Sequence, residues 1–431
     1  MRRKFYLSLL TIIFLLCCSA SPALAAGGAG QRPIQEVLLL LGIVAVAYLV
    51  SHLLVNQVAK RFGFISGVEF ILLGAIIGPG LGLLNPEIVE RFRLAIFLAT
   101  GSLGLLVGLE IDFKNLLKNL DLLKTALLIS ITTLSIVVGL PTLIIYQLKL
   151  DIPLWMPIIL CAGANSLVID ASGLDAMSSF LKAKGTASDL AIKITQLNSS
   201  LSIICFGLIF CFYNPGTSQT TANFTFGHWL LIHLSLGLIL GLIFSTFLRK
   251  DFKDEKLLTI VLGVVVFSSG LASYLRLSPI FVNFILGVTL INTCRNGNQV
   301  EMMLASLQRP FYIMLFFFAG LSWVFIAPWW AYLLFIPFLL LRRLGHTLGV
   351  FLALHNSPLS GRLPGLERAM LSMGGLSIAM TLNFAALYKT LTLTPLIYST
   401  LLISIILSEV FAPAKMRAWL IDAADIPTKR D

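Results

Sequence analysis

The chain has 431 residues, 58% of them hydrophobic and only 12% charged, with a formal net charge of +11. Soluble domains carry about 25% charged residues, so most of this surface must face lipid, and the composition excludes a soluble enzyme. It also excludes a nucleic-acid binder, because the lysines and arginines are spread through short gaps between apolar runs and form no basic patch.

At the start, Arg2, Arg3 and Lys4 precede an apolar run from Phe5 to Leu16 and then Ser21, Pro22, Ala23, Leu24 and Ala25. This pattern predicts a signal peptide over 1–25, with a retained first helix as the alternative. From Glu36 onward apolar runs recur with no polar linker, which predicts one transmembrane domain over 26–431. Taking about 20 residues per span, helices are expected near 34–56, 65–84, 92–112, 122–148, 153–181, 186–212, 228–248, 257–275, 278–293, 310–327, 329–354, 366–388 and 393–412. The expected fold is therefore an all-α polytopic membrane protein of about thirteen spans.

An N-terminus outside and an odd number of spans put the C-terminus in the cytoplasm, and the basic residues agree. The gaps predicted to be inner hold Lys60, Arg61, Lys114, Lys118, Lys124, Lys182, Lys184, Arg249, Lys250, Lys253, Lys256, Arg295, Arg309, Arg362 and Arg368, followed by a basic tail. The outer gaps hold only Arg32, Arg91, Arg93, Lys149, Arg276 and Lys389. The tail from Lys415 to Asp431 is too short for an appended regulatory domain. Cys161, Cys205 and Cys211 fall inside apolar spans and Cys294 in a gap, with neither disulfide nor zinc spacing, so they are expected to pack as small hydrophobes.

Polar groups deep in a bilayer cost about 2.5–3.5 kcal/mol each on insertion scales, so they mark candidate sites. The fifth span holds Asn165, Ser166, Asp170, Ser172 and Asp175; the sixth holds Lys193, Thr195, Gln196, Asn198, Ser199 and Ser200; the eleventh holds Arg342 and Arg343. Asp170, Asn198, Ser199 and Arg342 fall near the centres of their spans and would meet at one depth if those helices are neighbours. Carboxylate, amide and hydroxyl oxygens suit a hard monovalent cation, and a carboxylate can instead hold a proton. The structural alternative is a buried bridge from Asp170 to Arg342 or Arg343, with the serines and asparagines bonding between helices.

Transporters interrupt helices at the ion site. Gly163 and Gly173 flank Asp170, and Gly374 and Gly375 sit mid-span before Ser377, Thr381 and Asn383; comparable places in the two halves suggest an inverted repeat, while close packing at glycine is the alternative. Gly78, Pro79 and Gly80 predict a helix end or kink, and His346 is expected to be a satisfied packing residue. No phosphate loop, metal-spaced His/Cys set or nucleophile elbow occurs, so no enzyme and no cofactor are expected.

Several segments resemble the cation:proton antiporter superfamily, in the bacterial sodium or potassium/proton exchanger branch (the monovalent cation:proton antiporter-2 type). They are Gly67 to Leu84 (GVEFILLGAIIGPGLGLL), Leu103 to Asp112 (LGLLVGLEID), Gly270 to Gly287 (GLASYLRLSPIFVNFILG), Leu315 to Leu321 (LFFFAGL), Met373 to Ala379 (MGGLSIA) and Ser408 to Pro413 (SEVFAP), in the family's order. The resemblance implies inverted repeats, two crossed discontinuous helices (the fifth and twelfth spans), a homodimer in the bacterial inner membrane, and exchange of sodium or potassium for protons. It also implies an acid in the sixth span, and there the sequence departs: the family's Asn-Asp or Asp-Asp pair aligns with Asn198 and Ser199. The family's threonine and aspartate of the fifth span align with Ser172 and Gly173, and its basic residue of the eleventh with Arg342 or Arg343.

Serine exchanges no proton near neutral pH, so that role passes to another group or is lost. Asp170, about one turn before the aligned pair, is the expected replacement, with Asn198, Ser199 and broken-helix carbonyls assisting and Arg342 balancing its charge. The alternative is a degenerate site: a uniport-like pathway, a symporter for another solute, or a non-transporting sensor.

Overall fold

The computed structural model describes residues 67–80, 92–149, 151–183, 185–213, 224–248, 254–294, 297–326, 329–355, 357–389 and 391–423, and all regular structure among them is helical. The leader over 1–25 and the first expected span, 34–56, lie outside these residues. In chain order the helices are α1 (Val68–Ala75), α2 (Arg93–Leu109), α3 (Phe113–Lys118), α4 (Leu120–Gln147), α5 (Ile152–Leu167), α6 (Ala171–Phe180) and α7 (Thr186–Phe212). Then come α8 (Phe226–Phe247), α9 (Asp254–Tyr274), α10 (Pro279–Thr293), α11 (Gly297–Leu321), α12 (Phe335–Leu354), α13 (Gly374–Leu387) and α14 (Thr394–Asp422). Eight helical segments among them are long and apolar enough to cross a membrane, and four shorter apolar ones accompany them.

Hydropathy finds the apolar cores of these helices but not their amphipathic ends. α11 starts thirteen residues before the expected 310, at Gly297, because Val300 and Leu304, four apart and buried, give its polar first turns one apolar face. α14 runs on past Pro413 because Met416, Trp419 and Leu420 are buried along one face, and Trp419 Nε1 donates to the Pro364 carbonyl at 2.8 Å. The expected kink at Gly78-Pro79-Gly80 is present: α1 gives way to a π-helical turn over Ile76–Gly80.

Lipid tails offer no hydrophobic drive between helices, so association depends on close packing at small residues. α2 meets α10 where Gly108 lies against Gly287; a Cβ added to Gly108 would come within 3.0 Å of the Gly287 Cα. α12 meets α4 in the same way, with Gly345 and Gly349 facing the Thr133 and Ile129 backbone at 2.9 Å from where a Cβ would stand. The rim and the centre differ in burial: two thirds of the apolar window of α7 is enclosed (67%), against 22% for α4 and 28% for α8. Leu128, Ile131 and Leu143 on α4 and Leu231 and Ile239 on α8 are accordingly exposed, as lipid-facing residues must be. Cys161, Cys211 and Cys294 are buried free thiols and Cys205 is half-buried.

Candidate ion-binding site

Two of the expected spans are not continuous helices. The fifth divides into α5 and α6 around Val168, Ile169 and Asp170, with Val168 at φ −63°, ψ 128° and Asp170 at φ −75°, ψ 89°. The twelfth begins as a 3-10 turn (Leu366–Arg368), has no regular structure over 371–373, and becomes helical only at Gly374. The two interruptions touch: Asp170 N donates to the Ser372 carbonyl at 3.2 Å. Lower down, Ser377 of α13 donates to Asn165 Oδ1 of α5 at 2.7 Å, tying the helices on either side of the junction.

Interrupting a helix in a dry interior strands backbone carbonyls, and each must find a donor. Arg342 supplies most of them. Its Nε reaches the Ser166 carbonyl at 3.2 Å, Nη1 the Leu371 carbonyl at 2.8 Å, and Nη2 the Val168 carbonyl at 2.9 Å, with the Met370 and Ser372 carbonyls at 3.4 Å. One planar fork therefore holds carbonyls from both broken segments, which a lysine's point charge cannot do. His346 completes the set as expected of a packing residue: its Nε2 donates to the Ser166 carbonyl at 2.9 Å. Ser199 Oγ donates to the Ile169 carbonyl at 2.8 Å.

The alternative of a direct bridge from Asp170 to Arg342 or Arg343 is corrected by this arrangement. The guanidinium is spent on backbone carbonyls, and Arg343 donates to the Glu367 carbonyl at 2.6 Å. Asp170 instead accepts from Ser172 Oγ at 2.6 Å, and that hydroxyl lies 3.5 Å from Tyr312 Oη. Asp170 faces a cavity of about 220 Å³, whose wall also includes Ser172, Ser199, Gln196, Tyr312 and the carboxylates of Glu110, Asp175 and Glu301. The polar groups on that wall are carboxylates, hydroxyls and amides, set among apolar side chains such as Leu106, Val107 and Leu376, and their oxygens suit a hard cation and its water.

The remaining expected site residues divide. Asn198 turns away from the cavity: its Oδ1 accepts from Ser130 Oγ of α4 at 2.9 Å, and its Nδ2 has no hydrogen-bond partner among the described residues. Adjacent helical residues point about 100° apart, so Asn198 and Ser199 could not both face Asp170. Among the glycines Gly374 stands at a break, with φ +62°, and a Cβ there would lie 2.7 Å from Asp170 Cβ and Cγ. Gly163 and Gly375 lie within helices, where a Cβ would strike Val138 and the Tyr312 ring. Gly173 lies in the first turn of α6, with the Asp170 carboxylate where its Cβ would be. They are packing positions, not breaks.

The carboxylates of Glu110 and Glu301 on the cavity wall, and Glu409 behind the second break, were not singled out from the sequence. Glu409 is 3% exposed, and its Oε1 accepts from Ser372 Oγ at 2.6 Å, Met373 N at 3.0 Å and Gly374 N at 2.8 Å. It thus caps the N-terminus of α13, where three unpaired donors and the helix dipole favour an anion.

Comparison with known proteins agrees with this architecture. The profile of the family described as sodium/hydrogen exchanger, transmembrane, matches residues 45–421. Among solved structures, the sodium proton antiporter MjNhaP1 from Methanocaldococcus jannaschii at pH 8 superposes with a TM-score of 0.64 at 18% identity, over 89% of this chain and 99% of that one. An electron-microscopy structure of the same antiporter gives a TM-score of 0.60 at 19% identity, over 91% and 99% of the two chains. No curated protein matches the sequence.

Proposed function

The chain belongs to the sodium/hydrogen exchanger family, a family of multi-pass membrane transporters and not of enzymes, and from that premise we propose that it exchanges a monovalent cation, sodium or potassium, for protons at Asp170. The observation that carries this reading is the placement of Asp170: the carboxylate stands where the two interrupted segments meet, faces the cavity, and is bridged to no arginine among the described residues. The same oxygens can hold a proton or a cation but not both. A cation entering the cavity displaces the proton from Asp170, the loaded site moves across, and on the other side a proton displaces the cation. Ser172 Oγ and water in the cavity complete the shell of the bound cation.

The junction of the 168–170 and 371–373 stretches is in this reading the crossing of two discontinuous helices in an inverted-repeat fold of thirteen spans. Lys114, Lys118, Lys124, Lys182, Arg362 and Arg368 fall in the gaps expected to be inner, which in this reading puts them on the cytoplasmic side of a bacterial inner membrane. The apolar exposed face of α4 or α8 would serve a homodimer as well as it serves lipid.

The competing reading, a fold retained with its exchange lost, rests on Ser199 standing where the resemblance expects an acid. Proteoliposomes separate the two. Sodium or potassium added to vesicles holding an acid interior should dissipate the proton gradient, and Asp170→Asn should abolish the response. Equal responses in the two proteins would refute the assignment, and none in the wild type would favour the degenerate site.

A further inference from the structure

Two charged side chains among the described residues are fully buried, Arg342 and Glu409, each 3% exposed. They grip the same stretch of backbone from its two polar sides. Arg342 donates to the carbonyls of Met370, Leu371 and Ser372, while Glu409 accepts from Ser372 Oγ and the N–H groups of Met373 and Gly374. Just across Gly374 stands Asp170, whose Cβ and Cγ lie 2.7 Å from where a Gly374 Cβ would be. The charged groups facing Glu409 are thus Asp170, Arg342 and, behind it, Arg343, whose own guanidinium bonds the Glu367 carbonyl.

The geometry points to Glu409 as a positioning residue that cancels the Arg342 charge and so leaves the Asp170 charge to be neutralised only by the transported cation or a proton. This rests on the exchange reading above and extends it to coupling. With Glu409 ionised, Arg342 and Glu409 sum to zero. The other carboxylates of the cavity wall, Glu110, Asp175 and Glu301, are the same in every state; against that constant background the empty site carries one negative charge from Asp170, and the site loaded with either a monovalent cation or a proton carries none. Moving an uncompensated charge through a low-dielectric barrier costs several kcal/mol, so the loaded forms cross and the empty one does not. That asymmetry is what makes exchange obligatory. Without Glu409, Arg342 would cancel Asp170 in the empty site, and loading would create a net positive charge.

A pair of variants separates charge from capping. Glu409→Gln keeps an oxygen that can accept the same three hydrogen bonds but removes the charge. Glu409→Asp keeps the charge but draws the oxygen back from the α13 N-terminus. In proteoliposomes, sodium-driven proton flux should fall on the order of 100-fold in Glu409→Gln, the factor corresponding to one uncompensated charge on insertion scales. Glu409→Asp should retain the larger flux of the two. A Glu409→Gln flux equal to or above that of Glu409→Asp means the residue serves as a cap alone, and overturns the proposal. The wild type supplies a test that needs no variant: its exchange should be electroneutral, unaffected when the membrane potential is clamped with potassium and valinomycin. Sodium-driven exchange that changes with the clamped potential overturns the proposal while leaving Asp170 exchange intact. A wild type that moves no proton on addition of sodium or potassium overturns the exchange reading itself.

Discussion

Gly374→Ala tests the junction at its tightest point. Gly374 has φ +62°, and a Cβ there would lie 2.7 Å from both Cβ and Cγ of Asp170. An L-residue in the left-handed region costs about 1–2 kcal/mol, and forcing a methyl into a packed site costs about 1–3 kcal/mol more. Neither neighbour can give freely. Moving the Gly374 backbone stretches its 2.8 Å bond to Glu409, and moving Asp170 breaks the 2.6 Å bond from Ser172. The sum, about 2–5 kcal/mol, corresponds to a loss of roughly 30-fold or more in the population holding the working geometry. Sodium-driven proton flux in proteoliposomes should fall by at least that factor, while the purified protein still elutes as a folded species. Gly270→Ala is the control, since a Cβ on Gly270 meets nothing within 4 Å. Wild-type flux in Gly374→Ala would show that the carboxylate and this turn are not in contact during transport, and the site as described would be wrong.

Arg342→Lys keeps the charge but loses the fork that serves carbonyls of both segments, so it should destabilise the protein by about 3 kcal/mol or more, seen as a drop in thermal unfolding temperature. An unchanged unfolding temperature would mean that the carbonyls are satisfied without Arg342. Ser199→Ala removes the hydroxyl that bonds the Ile169 carbonyl at 2.8 Å, with an expected cost of about 1 kcal/mol and a several-fold slower flux without loss of cation binding. Glu301→Gln removes one carboxylate from the cavity wall and is expected to act by electrostatic attraction. It should raise the apparent KM for sodium at low ionic strength, leave the maximal rate unchanged, and lose its effect in high salt.

The apolar helices among the described residues were legible in the sequence because length and hydropathy are local properties, and Asp170 stood out there as a carboxylate near mid-span. The positions of the breaks were not. Local breakers pointed to Gly163 and Gly173, yet the chain opens at 168–170, where the bonds that replace the helix come from Arg342, Ser199 and Ser372 on other elements. Tertiary donors decide where an unwound stretch is tolerable, and no window of residues contains them. The role of Glu409 was hidden for the same reason: its partners at 372–374 lie more than thirty residues away in sequence. Depth alone grouped Asn198 with Asp170, but depth says nothing about which face of a helix a residue occupies, and Asn198 faces α4. What the resemblance to cation:proton antiporters marked as a departure, serine in place of an acid, the structure accommodates by giving Ser199 a backbone carbonyl to hold.

Exchange at Asp170 requires that one carboxylate accept either the cation or the proton. Sodium binding to the purified protein, followed by isothermal titration calorimetry across a series of pH values, tests it most directly. In the acidic range the apparent Kd should rise about tenfold for each unit the pH falls, as protons occupy the oxygens that the cation needs, and Asp170→Asn should bind no sodium at any pH. Sodium binding that ignores pH, or that persists in Asp170→Asn, would contradict the account.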